Sequence, residues 1–164
     1  STLGIQSGSG INVNYFKYGV AKVYMSRVGT GPFVTELHGD SAQRLRDYGE
    51  EFGSTTGRPR RVGWLDLPAL KQTCQQNAID ALVLTGLIVL QRLKTVKICT
   101  AYHRKNNSNT PVYQTITIST ETLTAHKSLP SWAIQIIDLI EANVAPVAAV
   151  CVGKRRDQIR WLHT

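Results

Sequence analysis

The sequence predicts an α/β fold in which helices pack on a mixed sheet. Segments with the length and apolar character of buried strands alternate with segments of helical periodicity, and this alternation is typical of the class. The chain has 164 residues, of which 42% are hydrophobic and 18% are charged. We therefore expect one folded domain over residues 1–164 rather than a disordered segment.

The predicted elements follow one another closely along the chain. Clusters of glycine, proline and asparagine separate them, as turn residues do. In chain order the predicted elements are a loop over 4–12, a strand over 15–29, a loop over 29–37, a helix over 40–53, a helix over 66–79, a strand over 80–90, strands over 95–104 and 112–120 joined by a turn over 106–111, a helix over 129–144 and a strand over 145–153.

Capping residues locate the two helices of the first half. Asp40 or Ser41 suits the N-cap of the first helix, and Gly53 suits its end. Asp66 is placed to cap the second helix, and Pro68 suits its first turn because the N–H that proline lacks is unpaired there anyway. The last helix is predicted from four apolar residues at helical spacing: Trp132, Ile136, Leu139 and Ile140.

The chain is basic, with a formal net charge of +8 from nineteen Lys and Arg residues against eleven Asp and Glu residues. Such a balance favours anionic partners: nucleotides, acidic metabolites or nucleic acid. The positive residues concentrate in the segments TTGRPRR, YHRKNN and GKRRDQIR. Each of these segments adjoins the end of a predicted strand or helix, where ligands of α/β proteins bind.

Cysteine usage and apolar runs indicate the compartment. Cys74, Cys99 and Cys151 have no zinc-ligand spacing, so we expect reduced, buried thiols and no metal site. No apolar run reaches the length of a membrane span, and no basic segment followed by an apolar one opens the chain. We expect a cytoplasmic protein without a membrane partner, with an organellar location left open. Because the sequence begins without methionine, we expect a fragment or a processed chain.

The histidines do not predict a catalytic site. No serine or cysteine stands at a recognisable spacing from any of them, so surface or core roles are favoured and no catalytic residue is assigned. The four are His38, His103, His126 and His163.

Three segments carry a resemblance to a known family. VGTGPFVTEL, FGSTTGRPRRVGWLDL and VGKRRDQI occur in this order, and together they resemble adenylosuccinate synthetase, a carbon–nitrogen ligase of purine biosynthesis. The resemblance implies the C-terminal part of that fold and GTP-dependent ligation of L-aspartate to inosine monophosphate (IMP). Magnesium and GTP are implied as cofactors, neither with a complete site in this chain.

The resemblance covers only the C-terminal portion of the family. The family's N-terminal portion, with its phosphate loop and its catalytic aspartate and histidine, has no counterpart in these 164 residues. We therefore expect the chain to be inactive alone, and its standing as an enzyme is left open. A complementary N-terminal fragment and a second copy of the chain are the protein partners that the resemblance implies.

The middle segment has the chemistry of a carboxylate site. Two hydroxyls and the planar guanidinium of an arginine can hold a carboxylate in one orientation. By resemblance the aspartate-binding residues are Thr55, Thr56, Gly57 and Arg58, the IMP-binding residues are Val28, Gly29 and Arg58, and the GTP-side residues are Arg60, Gly153 and Arg156. Arg61 receives no ligand role, and Trp64, Leu65 and Asp66 are interpreted as structural.

One departure from the family falls where it recognises guanine. Where the family has Thr-Lys-Leu-Asp, this chain has Thr85, Gly86, Leu87 and Ile88. The family's lysine packs on the base, and its aspartate accepts hydrogen bonds from the guanine N1 and N2 donors. Isoleucine accepts neither, so the resemblance implies that guanine selectivity is lost or greatly weakened.

Two alternatives to a ligase role stay open. The first is a non-catalytic basic scaffold or RNA-associated module derived from the enzyme, which the positive charge favours although no aromatic stacking motif is present. The second is a regulator that binds purine nucleotide or aspartate without turnover.

Overall fold

A computed structural model describes residues 15–105, 108–124 and 127–162, and it confirms the α/β class. The strands are β1 (Tyr18–Lys22), β2 (Tyr24–Arg27), β3 (Arg61–Asp66), β4 (Ala81–Thr85), β5 (Thr95–Lys105), β6 (Ser108–Thr117), β7 (Val147–Cys151) and β8 (Ile159–Trp161). The helices are α1 (Gly39–Gly49), α2 (Leu67–Asn77), the single turn α3 (Leu87–Leu90) and α4 (Ser131–Asn143), with a 3-10 turn at Arg156–Gln158. The predicted loop over 4–12 lies outside the described residues.

The strands form two mixed sheets of four strands each. The first has the order β1-β4-β7-β8, parallel except for the β7–β8 pair. The second has the order β2-β3-β5-β6, in which only β3 and β5 are parallel. The mixed character is as predicted, but the strands divide between two sheets instead of one.

The prediction of a single strand over 15–29 is wrong, because the chain changes sheets within it. β1 pairs with β4 in the first sheet, and β2 pairs with β3 in the second. Val23 lies between them, 2% exposed, and its N–H donates to the Thr85 carbonyl at 2.9 Å. The alternating pattern continues across the break, so the pattern alone does not reveal it.

The predicted strand over 80–90 is correct only in its first half. β4 ends at Thr85, and Gly86 then adopts φ +86° before the helical turn α3. A positive φ is accessible to glycine at little cost. The apolar residues that follow are therefore buried on a helical turn instead of continuing the strand.

The two long helices after β3 are confirmed, whereas the first helix has other limits than predicted. Asp66 caps α2 by accepting from the Ala69 N–H at 3.1 Å. In contrast, α1 begins at Gly39 and ends before Glu50, which adopts φ +52°, so none of Asp40, Ser41 and Gly53 has its predicted capping role.

The region of the β5–β6 hairpin and the C-terminal end differ in part from the prediction. Ser108–Pro111, predicted as turn, belong to β6, while residues 106–107 lie outside the described part. Two strands were not predicted: β3, which follows the arginine-rich loop, and β8, which pairs antiparallel with β7.

Helix α4 joins the two sheets into one core. It contacts β7 of the first sheet, β6 of the second and helix α2. Its inward side chains are among the most buried in the molecule: Trp132, Ala133, Ile136 and Ile140, each at most 1% exposed. Burial of such side chains stabilises the fold by about 1.5–3 kcal/mol each. Among the described helices, none has the length and apolar character needed to cross a membrane.

Candidate functional site

The β2–β3 pair brings two predicted ligand segments to one end of the second sheet. In its antiparallel register Arg27 lies opposite Arg61. The chain that leaves β2, with Val28 and Gly29, and the chain that enters β3 from Arg58 therefore meet at the same sheet end. The segments that carry the predicted IMP residues and aspartate residues therefore adjoin the same end of the β2–β3 pair.

The loop over 53–58, which we call the threonine loop, is closed by its own backbone. The Gly53 N–H donates to the Arg58 carbonyl at 2.8 Å, and the Gly57 N–H donates to the Gly53 carbonyl at 2.9 Å. Gly57 takes φ +64°, which reverses the chain. Phe52 and Pro59 form a bridge at the base of the loop. The loop therefore has a defined shape although it is exposed.

The side chains assigned to aspartate are exposed to solvent. Thr55, Thr56 and Arg58 all lie on the surface of the threonine loop. The Thr56 hydroxyl folds inward and accepts from the Arg58 N–H at 3.4 Å. Hydroxyls and a guanidinium on a short closed loop are available to an incoming carboxylate.

The loop over 29–37, which we call the proline loop, is held by Arg61. The Arg61 Nε donates to Glu36 Oε1 at 2.7 Å, and Nη2 donates to the other carboxylate oxygen. Nη1 donates to the carbonyls of Gly29 at 2.9 Å and Gly31 at 2.8 Å, and the guanidinium lies 5.4 Å from the Phe33 ring centroid. Hydrogen bonding from Arg61 lowers the pKa of Glu36. The predicted IMP backbone at Gly29 is thus fixed by a residue to which the sequence assigned no ligand role.

Arg60, predicted on the GTP side, is paired with a buried carboxylate. Its Nη1 donates to Glu51 Oε2 at 3.1 Å. Glu51, 1% exposed, also accepts from the Tyr24 hydroxyl at 2.7 Å and from Lys22 Nζ. Burial alone would raise the pKa of Glu51, but the hydrogen bonds from Lys22, Tyr24 and Arg60 and the nearby positive charge lower it. We call Glu51, Lys22, Tyr24 and Arg60 the Glu51 cluster.

Of the other two predicted GTP-side residues, Gly153 lies beside the altered guanine segment. Gly153 and Ile88 line one cleft of about 360 Å³ next to the end of α1. Lys154 bridges this cleft's rim by donating to Glu50 at 2.7 Å. Arg156 is exposed on the 3-10 turn. The apolar side chain of Ile88 thus stands where the resemblance requires a carboxylate.

The histidines and cysteines of the described residues form no cluster of metal ligands. No group of three or more His, Cys, Asp or Glu side chains within them could bind a metal ion. His38 and His103 are exposed, and His126 and His163 lie outside the described part. All three cysteines are free: Cys74 and Cys99 are buried as predicted, Cys151 only partly, and burial raises the pKa of Cys99 to about 11.

Comparisons with known proteins identify the family to which the chain is similar. The family model for adenylosuccinate synthetase matches residues 1–160. Adenylosuccinate synthetase of Aquifex aeolicus is 40% identical over 99% of this chain and 42% of its own length. That of Thermus thermophilus is 54% identical over 60% of the chain. The chain therefore spans about two-fifths of the length of the first of these relatives.

Solved structures match over nearly the whole chain. The fully ligated adenylosuccinate synthetase from Plasmodium falciparum gives a TM-score of 0.86 at 34% identity, covering 98% of this chain and 43% of that one. A succinoaminodeoxyadenylate synthetase from cyanophage S-2L gives 0.51 at 17% identity, which shows the fold alone. The fold is therefore that of an α/β protein whose two mixed sheets recur in solved synthetases. The chain belongs to the adenylosuccinate synthetase family.

Sequence reasoning missed the residues that hold the site together. The sequence analysis assigns no role to Glu51, Glu36 or Tyr24. It also assigns no ligand role to Arg61. One signal was available: three arginines stand between Glu51 and Asp66 with only those two carboxylates for local partners. The remaining donors must find distant acceptors or a ligand, and Arg61 finds Glu36.

Proposed function

We propose that this chain supplies the aspartate- and IMP-binding part of an adenylosuccinate synthetase-type ligase, the C-terminal portion of the family's fold. One observation carries the proposal. The closed threonine loop leads into β3 at the end of the β2–β3 pair from which the proline loop leaves β2, and Arg58 is an exposed residue of the threonine loop. A dicarboxylate and a ribose phosphate could be held there side by side.

The chain's own residues would contribute orientation and not acid–base chemistry. Thr55, Thr56 and Arg58 would grip a carboxylate of aspartate, with its amine directed toward IMP. The backbone at Val28 and Gly29, fixed by Arg61, would line the IMP side. When bound, GTP with magnesium would supply the phosphoryl group that turns the IMP 6-oxygen into a leaving group.

Turnover is not expected from these residues alone. The resemblance assigns the phosphate loop and the catalytic aspartate and histidine to another portion of the family, and the chain spans 42% of the Aquifex relative. We propose that a complementary portion of the fold completes the site, and that Arg60, Gly153 and Arg156 face its nucleotide. Homo-oligomers and larger assemblies stay hypotheses.

Titration calorimetry with L-aspartate and IMP tests the proposal. We expect binding of both, and we expect Arg58→Ala to weaken both by on the order of tenfold or more, because a charge-assisted bidentate contact is lost. Arg44→Ala is the matched control, since Arg44 is an exposed arginine on α1 and belongs to neither loop. Failure of the wild-type chain to bind either ligand would refute the proposal.

The same variants test the scaffold alternative. Steeply salt-dependent RNA binding that Arg58→Ala leaves unchanged would favour an RNA-associated module. Binding of purine nucleotide or aspartate that stays without turnover after the complementary portion is added would favour a regulator.

A further inference from the structure

Glu51 is a buried carboxylate on which two cations converge. Oε1 accepts from Lys22 Nζ and from the Tyr24 hydroxyl, and Oε2 accepts from Arg60 Nη1 at 3.1 Å. Glu51 is 1% exposed, whereas the side chains of Lys22 and Arg60 are 40% and 32% exposed. The attraction of a positive partner offsets part of the desolvation cost of a buried carboxylate. Glu51 has two such partners, so one remains if the other leaves.

Among the described residues, Arg60 keeps hydrogen-bond donors that its contact with Glu51 does not use. A guanidinium has five N–H donors, and one contact joins Arg60 to Glu51. Its Nε is buried and has no hydrogen-bond partner in the described part of the chain. The neighbouring Arg61, by comparison, makes a two-point pair with Glu36 and two further bonds to carbonyls. Arg60 therefore retains donors for another anion.

The backbone allows the Arg60 side chain to turn without moving the loop. The Arg60 N–H donates to the Glu51 carbonyl at 2.9 Å, and this bond does not involve either side chain. Arg60 stands two residues from Arg58, at the base of the threonine loop. A rotation about its side-chain bonds would be enough to exchange one anion for another.

We propose that Glu51 is an exchangeable counter-ion for Arg60. When a carboxylate or phosphate group binds beside the threonine loop, Arg60 leaves Glu51 for that anion, and Lys22 with Tyr24 keeps Glu51 paired. The inference rests on the proposed function, because it needs an anionic ligand at this loop. In this arrangement Glu51 is a positioning residue that tunes anion affinity without touching the ligand.

Two substitutions should act in opposite directions. Glu51→Gln removes the anion that competes for Arg60, so affinity for the ligand should rise. The expected rise is about tenfold, because one charge-assisted hydrogen bond changes affinity by about that factor. Lys22→Met leaves Glu51 dependent on Arg60 alone, so affinity should fall by a similar factor. A purely structural role for the Glu51 cluster would make both variants weaker binders.

The exposed pair of Glu50 and Lys154 offers matched controls. Glu50→Gln removes the same charge at the neighbouring position, and Lys154→Met removes its cation. Both partners are more than 70% exposed, so solvent screens their effect on ligand at the threonine loop. We expect affinities for aspartate and IMP to change little in either control.

The experiment is titration calorimetry of the full chain with L-aspartate, IMP and inorganic phosphate. It compares the wild type with the four single variants Glu51→Gln, Lys22→Met, Glu50→Gln and Lys154→Met. Two double variants combine Arg60→Ala with Glu51→Gln or with Lys22→Met. Thermal unfolding reports whether each variant is folded. We expect opposite signs in Glu51→Gln and Lys22→Met, and no effect of either once Arg60 is alanine. The ligand whose affinity responds identifies the carboxylate or the phosphate as the exchanging anion.

The Arg60 Nε–Hε resonance gives a second reading by NMR. It should shift when the responsive ligand binds, because Nε acquires a partner. Ligand binding that Arg58→Ala abolishes but Glu51→Gln leaves unchanged or weakens would overturn the exchange and keep the proposed function. Failure of all three anions to bind the wild-type chain would overturn both.

Discussion

Arg61 and Glu36 form a two-point ion pair that joins strand β3 to the proline loop, with 2.7 Å between Arg61 Nε and Glu36 Oε1. The same guanidinium donates to the carbonyls of Gly29 and Gly31, which belong to the loop's first turn. The shape of this loop therefore depends on one side chain supplied by a distant strand. The Arg61 guanidinium can make its two bonds to Glu36 and its two bonds to these carbonyls at the same time because it is planar.

Arg61→Lys should loosen the proline loop without unfolding the protein. Lysine keeps the charge, but it cannot donate to a carboxylate and two carbonyls in the same fork. We expect amide hydrogen exchange in residues 29–37 to accelerate by on the order of tenfold, and exchange in α4 to stay unchanged. Arg44→Lys is the control. Equal exchange rates in wild type and Arg61→Lys would show that the loop holds its own shape.

Acid should destabilise the protein partly through Glu51. Its pKa in the folded state lies below the usual 4.5, so the folded state binds this proton more weakly than the unfolded state does. The contribution of this pKa difference to the free energy of unfolding is fully present above about pH 4.5. It is lost as the pH falls through the folded-state pKa of Glu51. In urea unfolding at a series of acid pH values, the free energy of unfolding should therefore fall less steeply with decreasing pH in Glu51→Gln than in wild type.

Glu50→Gln is the control for this pH dependence. The hydrogen bond from Lys154 also lowers the pKa of Glu50, but the pair is exposed and screened by solvent. Its removal should change the acid-side slope less than removal of Glu51. If Glu51→Gln and wild type lose stability in parallel below pH 4.5, the Glu51 cluster does not contribute through this titration.

Asp66 should prove structural and not part of the ligand site. It caps α2 through the Ala69 N–H, and its two oxygens lie 2.6 and 2.7 Å from the Tyr102 hydroxyl. Asp66→Ala loses the cap and leaves a half-buried hydroxyl without its acceptor, so we expect a loss of about 2–4 kcal/mol in the free energy of unfolding. Chemical denaturation measures it.

A matched aspartate tests the origin of that loss. Asp40 lies in the first turn of α1, where no side chain caps the helix. Asp40→Ala should cost less than about 1 kcal/mol, the value of a charge near a helix N-terminus. Aspartate binding should be unchanged in both variants, and a loss of ligand affinity in folded Asp66→Ala would contradict the structural role.

The elements that could be predicted from the sequence depend on neighbours within a few positions. Asp66 and Pro68 predict the start of α2, because a capping side chain and a first-turn proline act on the backbone within a few residues. The apolar spacing of α4 is local in the same way. In contrast, the break at Val23 depends on which strands pair on either side, and no pattern within residues 15–29 contains that information.

The candidate site divides along the same line. The exposed residues of the threonine loop were named through a family resemblance, and their ligand roles stay predictions. The residues that hold the site were missed because their partners are far along the chain: Glu51 lies 29 residues from Lys22, and Arg61 lies 25 from Glu36. Only the folded chain brings these charges together.

Gly86 should tolerate substitution poorly. The sequence analysis names it only as one of the residues that differ from the family's guanine-recognition segment. It has φ +86°, and a Cβ added there would lie 2.8 Å from Tyr24 Cε1. Gly86→Ala combines left-handed strain with a clash against a buried ring, so we expect about 2–4 kcal/mol of destabilisation. Gly39→Ala is the control, since Gly39 has φ +60° with nothing within 4 Å, and about 1 kcal/mol is expected. Equal losses in the two variants would mean that the Tyr24 ring moves aside.

Nucleotide competition tests the altered guanine segment. Ile88 lines the cleft beside Gly153, and its side chain cannot accept a hydrogen bond. Guanine buried there would leave its N1 and N2 donors unpaired, at about 1–3 kcal/mol each, so GTP should bind no better than ATP. Ile88→Asp supplies acceptors and should shift the ratio toward GTP by on the order of tenfold, while the control Ile88→Leu should not. Displacement of a fluorescent purine nucleotide measures both ratios. A clear preference of the wild-type chain for GTP would mean that the base is recognised by other residues than Thr85–Ile88.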